Sequence, residues 1–265
     1  MGAIRLALWV LVTAFTAGPV AARPRDAAAT LRARPSTQTQ PSLKAGESEL
    51  SNRSITYRPA TLPAGPRPLL VILHGHGQSP SDFIRMFERW ADRCGAILVA
   101  PVAEKITWDM IATSQELEVR TTRPSRSPMR FGEDARRIDQ DLLILFRLAP
   151  IDPKRVAILG FSDGASYSLS LGLANPNLFP WVLSFSPGFA LWPERVSRKQ
   201  KVFIAHGTRD SRLDFANTRE AIVQPLRDAG VEVQFRTFTG DHVLVAPILR
   251  ESLQLAFGCG LQPSH

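Results

Sequence analysis

Val156-Ala157-Ile158-Leu159-Gly160-Phe161-Ser162-Asp163-Gly164-Ala165 decides how this chain folds. An apolar run passes into a Gly-x-Ser-x-Gly pentad, and Asp163 to Ala174 beyond it reads as a helix. A strand that turns straight into a helix through a serine holds that residue on a sharp, strained corner, its hydroxyl clear of the sheet. Gly160 and Gly164 keep side chains out of the crowded space on either side of the turn. The helix N-terminus behind Ser162 aims unpaired N–H groups, and the positive end of its dipole, at negative charge developing there. The pentad alone arises by chance. Set between this strand and this helix, it points to a nucleophilic serine.

Strand-like and helical stretches alternate outward from that corner. Strands are expected at Ser54 to Tyr57, Pro68 to Leu73, Ala96 to Ala100, Val156 to Gly160, Trp181 to Phe185, Val202 to Ala205 and Val231 to Phe238. Helices are expected at Ser81 to Arg93, Glu133 to Leu148, Asp163 to Ala174, about Phe215 to Ala229, and Val243 to Phe257. This alternation predicts an α/β fold, a mostly parallel central sheet with helices on both faces. The unbroken apolar run of Pro68 to Leu73 fits a strand covered on both sides.

The partners of Ser162 follow from their places in this order. After the strand ending at Leu73 comes His74-Gly75-His76-Gly77, and a loop there supplies one oxyanion-binding N–H while the residue after the nucleophile supplies the other. Those donors are the main-chain N–H groups of His76 and Asp163. The histidines are His74, His76, His206, His242 and His265. Two belong to the oxyanion loop, His206 ends a buried strand and His265 ends the chain. That leaves His242, after the last strand, as general base. Asp210, just past the strand Val202 to Ala205, is the acid that orients the imidazole; Asp214 is the runner-up. Asp241 is too close in sequence to bond the His242 ring and is expected to shape the loop.

Composition narrows the setting. Met1 to Arg5 is a basic start, Leu6 to Val20 an apolar run, and Val20-Ala21-Ala22 a small-residue cleavage site: residues 1–22 read as a signal peptide, implying a secreted or periplasmic protein. No other segment reaches ~18 consecutive apolar residues, so no stable membrane insertion is expected. Residues 23–53, rich in Pro, Ser, Thr, Ala and Gln, read as a disordered leader, and 54–265 as the catalytic domain. The net charge of +8 is nearly all arginine, spread along the chain without a nucleic-acid motif, so no nucleic-acid partner is expected. Arg120, Arg123, Arg126 and Arg130 sit in one Pro/Ser-rich loop, which is either a solvated loop or an anion-binding rim. No metal-ligand cluster or nucleotide loop is visible, so no cofactor is implied.

Four segments, LHGHGQ (73–78), GFSDG (160–164), HGTRD (206–210) and GDH (240–242), together resemble the phospholipase/carboxylesterase and polyhydroxybutyrate-depolymerase-like esterases of the α/β-hydrolase superfamily. The resemblance spans roughly Ser54 to Gly258. It implies Ser162 as nucleophile, Asp210 as acid and His242 as base, and an ester substrate, small or polymeric. Asp163 departs from it, since related enzymes often carry Gln or another neutral residue there. A carboxylate aimed at the oxyanion would lower activity, whereas one aimed outward would cap the helix. In such a fold the first and last helices share a face of the sheet, which implies a bond between Cys94 and Cys259, the only cysteines; two buried thiols are the alternative. The interval between the strands ending near Ser186 and starting near Val202 is too short for a cap domain. The site is therefore expected to be open, with Trp108 and Phe189 as candidate substrate contacts and core packing as the other role for Trp108. A thioesterase, a peptidase and a non-catalytic binder on the same fold are the competing functions.

Overall fold

Leu69 to Leu73 form the middle of an eight-stranded sheet among the described residues, and every residue of their strand is buried. The computed structural model describes residues 30–36, 40, 42–112 and 131–259. The proposed signal peptide, the arginines at 120, 123, 126 and 130, and His265 lie outside them. The strands are β1 (Gly46–Glu49), β2 (Ile55–Arg58), β3 (Arg67–Leu73), β4 (Ile97–Ala100), β5 (Ile151–Phe161), β6 (Trp181–Phe185), β7 (Lys201–Gly207) and β8 (Glu232–Phe238). The helices are α1 (Pro80–Arg85), α2 (Glu88–Cys94), α3 (Glu133–Leu148), α4 (Asp163–Ala174), the segmented α5 (Phe215–Asn217, Thr218–Val223, Gln224–Asp228) and α6 (Ala246–Phe257).

Spatial order across the sheet is β1-β2-β4-β3-β5-β6-β7-β8, parallel from β4 to β8 and antiparallel at the β1-β2-β4 edge. Side chains alternate between two cores. Leu69, Val71, Val99 and Ile158 pack with Ile138 and Leu142 of α3 and Leu169 of α4, while Leu70, Ile72, Leu98 and Leu159 pack with Trp90 of α2 and Leu253 of α6. Apolar cover on both faces is why the central strands read as continuous hydrophobic runs. Residues 186–200, between β6 and β7, contain no helix or strand.

Three expectations are corrected. The helix expected over Ser81 to Arg93 is two helices, α1 and α2, with Met86 and Phe87 between them. The last helix starts at Ala246, not Val243, with proline in its first turn, leaving His242 in the loop between β8 and the helix. Residues 23–53 are not a detached leader where they are described. Leu31 and Ala33 are buried, Leu31 N–H donates to Asn175 Oδ1 (2.8 Å), and Arg32 and Ala33 N–H donate to Asp139 Oδ1 (2.7 and 2.8 Å). Gln40 N–H donates to Arg147 O (2.9 Å), and β1 adds an edge strand. Backbone hydrogen bonds hold this segment, and they leave no hydrophobic period in its sequence.

Cys94 and Cys259 are bonded, with Cα atoms 5.9 Å apart. The bridge ties the end of α2 to the second residue past α6, where Trp90 Nε1–H donates to Cys259 O (2.8 Å) and Trp90 meets Phe257 (4.9 Å between ring centres). It spans 165 residues of chain, so it removes much unfolded-state freedom. Replacing both cysteines with serine is expected to lower unfolding free energy by about 2–4 kcal/mol. The check is the urea midpoint; an unchanged midpoint would mean that the chain's end docks as firmly without the bond.

Candidate active site

β5 ends at Phe161 and α4 begins at Asp163, so Ser162 alone makes the corner, at φ 57° and ψ −122°. Its N–H donates to Phe185 O at the end of β6 (3.0 Å), which anchors this uncommon conformation. A Cβ on Gly160 would lie 2.0 Å from Gly164 O, and one on Gly164 would lie 2.2 Å from Leu73 O. No side chain fits at either position. This is the crowding read from the pentad, and it comes from α4 packing directly over the ends of β3 and β5.

Two loops at the same edge of the sheet bring the partners in. The loop after β7 carries Asp210 and the loop after β8 carries His242. They meet at Gly207, where a Cβ would lie 2.5 Å from Gly240 O, and Arg209 N–H donates to Gly240 O (3.0 Å). His242 Nε2 lies 2.8 Å from Ser162 Oγ, and His242 Nδ1 lies 2.7 Å from Asp210 Oδ2. A carboxylate can only accept, so Nδ1 carries the ring proton and Nε2 is left to accept from the serine hydroxyl. Asp210 Oδ1 accepts from the N–H groups of Arg212 and Leu213 (2.9 Å each). Burial pushes the Asp210 carboxyl up, but the donors Leu213 N–H, His242 and Arg212 N–H together hold it below the usual carboxylate range. Phe161 packs its ring on the imidazole, 4.8 Å between centres.

Asp214 is not in this relay. It caps α5, accepting from Ala216 N–H (2.8 Å). Asp241 shapes the loop as expected, since its Oδ1 accepts from Ser211 N–H (2.8 Å) and His242 N–H (2.8 Å). The sequence reading passed over Gly207 and His206. The only signal for either was their place in HGTRD.

The loop after β3 is tied down except at the His76 N–H, one of the two expected to face an oxyanion. Gly75 N–H donates to Gln78 Oε1 (2.8 Å), Gly77 N–H to Ile106 O (2.8 Å) and Gln78 N–H to Gly75 O (3.2 Å). The N–H groups of His76 and Asp163 have no partner among the described residues. Gly75 abuts the nucleophile, since a Cβ there would lie 3.3 Å from Ser162 Cβ. His74 is buried and neutral. Its Nδ1–H donates to Gly75 O (2.8 Å), its Nε2 accepts from Ala103 N–H (3.3 Å), and burial lowers its pKa. The Asp163 carboxylate is neither free nor a cap. Its Oδ2 accepts from Thr107 Oγ1 (2.5 Å) and lies 3.3 Å from His76 Nδ1, so a side-chain bridge links the two residues with unpaired N–H groups.

A family model described as phospholipase/carboxylesterase matches residues 63–251, most of the chain and all of this constellation. The chain belongs to the phospholipase/carboxylesterase family, a family of carboxylic ester hydrolases. Solved structures with the same fold include esterase PE8, 20% identical with a TM-score of 0.57 over 81% of this chain and 97% of that one. The Bacillus cereus carboxylesterase is 18% identical with a TM-score of 0.56, over 77% of this chain and 92% of that one. FphF, a fluorophosphonate-binding serine hydrolase of Staphylococcus aureus, is 14% identical with a TM-score of 0.54, over 77% and 93%. No curated protein matches the chain.

Of the two substrate contacts expected in this phospholipase/carboxylesterase-family chain, Trp108 is corrected. It is fully buried, its Nε1–H donates to His74 O (2.9 Å), and its ring lies between His74 (4.9 Å) and Tyr167 (5.0 Å). It supports the loop after β3 from the core. Replacing it with alanine is expected to cost about 3–5 kcal/mol of stability. Trp108→Phe is expected to lower the melting temperature while leaving relative rates on short and long acyl esters unchanged. A shifted chain-length profile would put the ring in the acyl site after all. Phe189 is half-buried and packs against the core beside α4, with its N–H 3.4 Å from Ser166 Oγ.

Proposed function

We propose that this chain is an exported serine esterase that cleaves short-chain or otherwise exposed carboxylic esters through an acyl-enzyme. The observation that carries the reading is the continuous relay from Ser162 Oγ through His242 to Asp210, with links of 2.8 and 2.7 Å. Ser162 Oγ attacks the ester carbonyl carbon while His242 Nε2 takes its proton. The carbonyl oxygen, now negative, faces the N–H groups of His76 and Asp163. His242 then hands the proton to the leaving alcohol oxygen as that C–O bond breaks, leaving the acyl group on Ser162. Water, deprotonated by His242, attacks the acyl carbonyl, and Ser162 leaves with the proton. Asp210 holds the imidazole in the tautomer that both halves require. Export rests on residues 1–22, and a Cys94–Cys259 bond suits an oxidising compartment.

The test uses protein beginning at Arg23, assayed on p-nitrophenyl esters of increasing chain length beside a thioester and a peptide amide. Hydrolysis fastest on short acyl esters is the expected result. Preference for the thioester or the amide would transfer the same mechanism to another substrate. No turnover, together with no labelling by a fluorophosphonate, would leave a binder on a hydrolase fold.

A further inference from the structure

His206 was passed over as the end of a buried strand, yet it touches the acid. Its side chain is wholly buried, and Nε2 lies 3.1 Å from both Leu213 O and Asp210 Oδ2. Both neighbours are acceptors, so Nε2 carries the proton. The other ring nitrogen, Nδ1, is buried with no partner. An imidazolium would add a second N–H with nothing to receive it, and burial lowers the His206 pKa, so the ring is neutral with its single proton on Nε2. The other close ring is Phe215, 6.0 Å away and edge-on.

Asp210 Oδ2 is therefore approached by two imidazoles, His242 at 2.7 Å from the site and His206 at 3.1 Å from the core. His206 also grips the loop that holds the other carboxylate oxygen. Its Nε2–H reaches Leu213 O, and the N–H of that same residue donates to Asp210 Oδ1 (2.9 Å). Residues 206 to 213 thus close into a ring around the carboxylate, with the His206 imidazole as its clasp. An apolar side chain could fill this space at the end of β7, but it could not bond Leu213 or face a carboxylate oxygen with a proton.

We propose that His206 is a positioning residue for the reaction, holding the Asp210 carboxylate at the angle that meets His242 Nδ1–H. The proposal rests on the reading of Asp210 as the catalytic acid. It differs from a merely structural role in needing the N–H and not the bulk.

The test sets His206→Phe, which keeps a ring without a donor, against His206→Gln, whose amide N–H reaches about as far as Nε2. On a short p-nitrophenyl ester, His206→Phe is expected to lose about 10- to 100-fold in kcat, the scale of a small misplacement of a catalytic group, with KM nearly unchanged. His206→Gln is expected to recover most of that loss. A phenylalanine variant as active as the wild type overturns the proposal, and so does a glutamine variant that is no better than the phenylalanine one. Should His206→Phe fold poorly, the far-downfield proton signal of His242 Nδ1–H decides. Folded His206→Gln must keep the wild-type signal, and its loss there overturns the proposal equally. Failure of the underlying reading looks different: the wild type itself would be inactive, or Asp210→Asn would match it.

Discussion

Ser162→Ala is expected to lower kcat for ester hydrolysis by about 10⁶-fold, the scale found when the nucleophile of a serine triad is removed. The variant loses the only atom that His242 Nε2 contacts in the relay, so the acyl-enzyme route closes. What remains is the oxyanion site and substrate binding, which alone leave a small acceleration over water. The fold should survive, because alanine keeps a Cβ and the corner at φ 57° is held by the Ser162 N–H bond to Phe185 O, a main-chain bond. The measurement is steady-state hydrolysis with a melting curve on the same sample. An equally stable variant that hydrolyses within tenfold of the wild type would remove Ser162 from the mechanism.

Gly164→Ala carries the second-largest effect, and it acts through the backbone. The added Cβ would sit 2.2 Å from Leu73 O, 2.5 Å from His74 O and 2.7 Å from Leu73 C. All three are main-chain atoms of β3 and the loop after it, so no side chain can rotate aside. Either α4 lifts off the sheet or β3 moves within it, and β3 is hydrogen-bonded to β4 and β5 on both sides. Overpacking typically costs about 1–3 kcal/mol, and a loss of about 4 kcal/mol or more is expected here because every clashing atom belongs to the main chain. Activity should fall further than stability alone explains, because His74 opens the loop that presents His76 N–H. Urea unfolding followed by tryptophan fluorescence reads the first effect. A drop below about 1 kcal/mol would mean that α4 sits farther from β3 than described.

The sequence by itself determined the layered α/β architecture, the corner at Ser162 and the order of the site residues. Each of these is written locally. Apolar runs covered on both faces mark central strands, α3 and α4 keep the bounds their periodicity predicts, and the Gly-x-Ser-x-Gly pentad marks the strand-to-helix corner within five consecutive residues. Asp210 and His242 could be ranked by position, but both lie on loops, where distance along the chain says little about distance in space. Only the tertiary structure decided between Asp210 and Asp214, by placing one on His242 and the other at the start of α5.

The tertiary structure alone also decided the fate of features with no local signature. Trp108 has the same side chain whether it floors a pocket or props a loop, and its bond to His74 O puts it in the core. Leu31 to Ala33 are docked by side-chain acceptors more than a hundred residues away, Asn175 and Asp139. His206 looked like one more buried strand residue until the loop after β7 folded back and set its Nε2 beside Asp210. Hydrophobic periodicity reports which face of an element is covered. It carries no information about which buried donor meets which acceptor, because that pairing depends on how distant segments pack together.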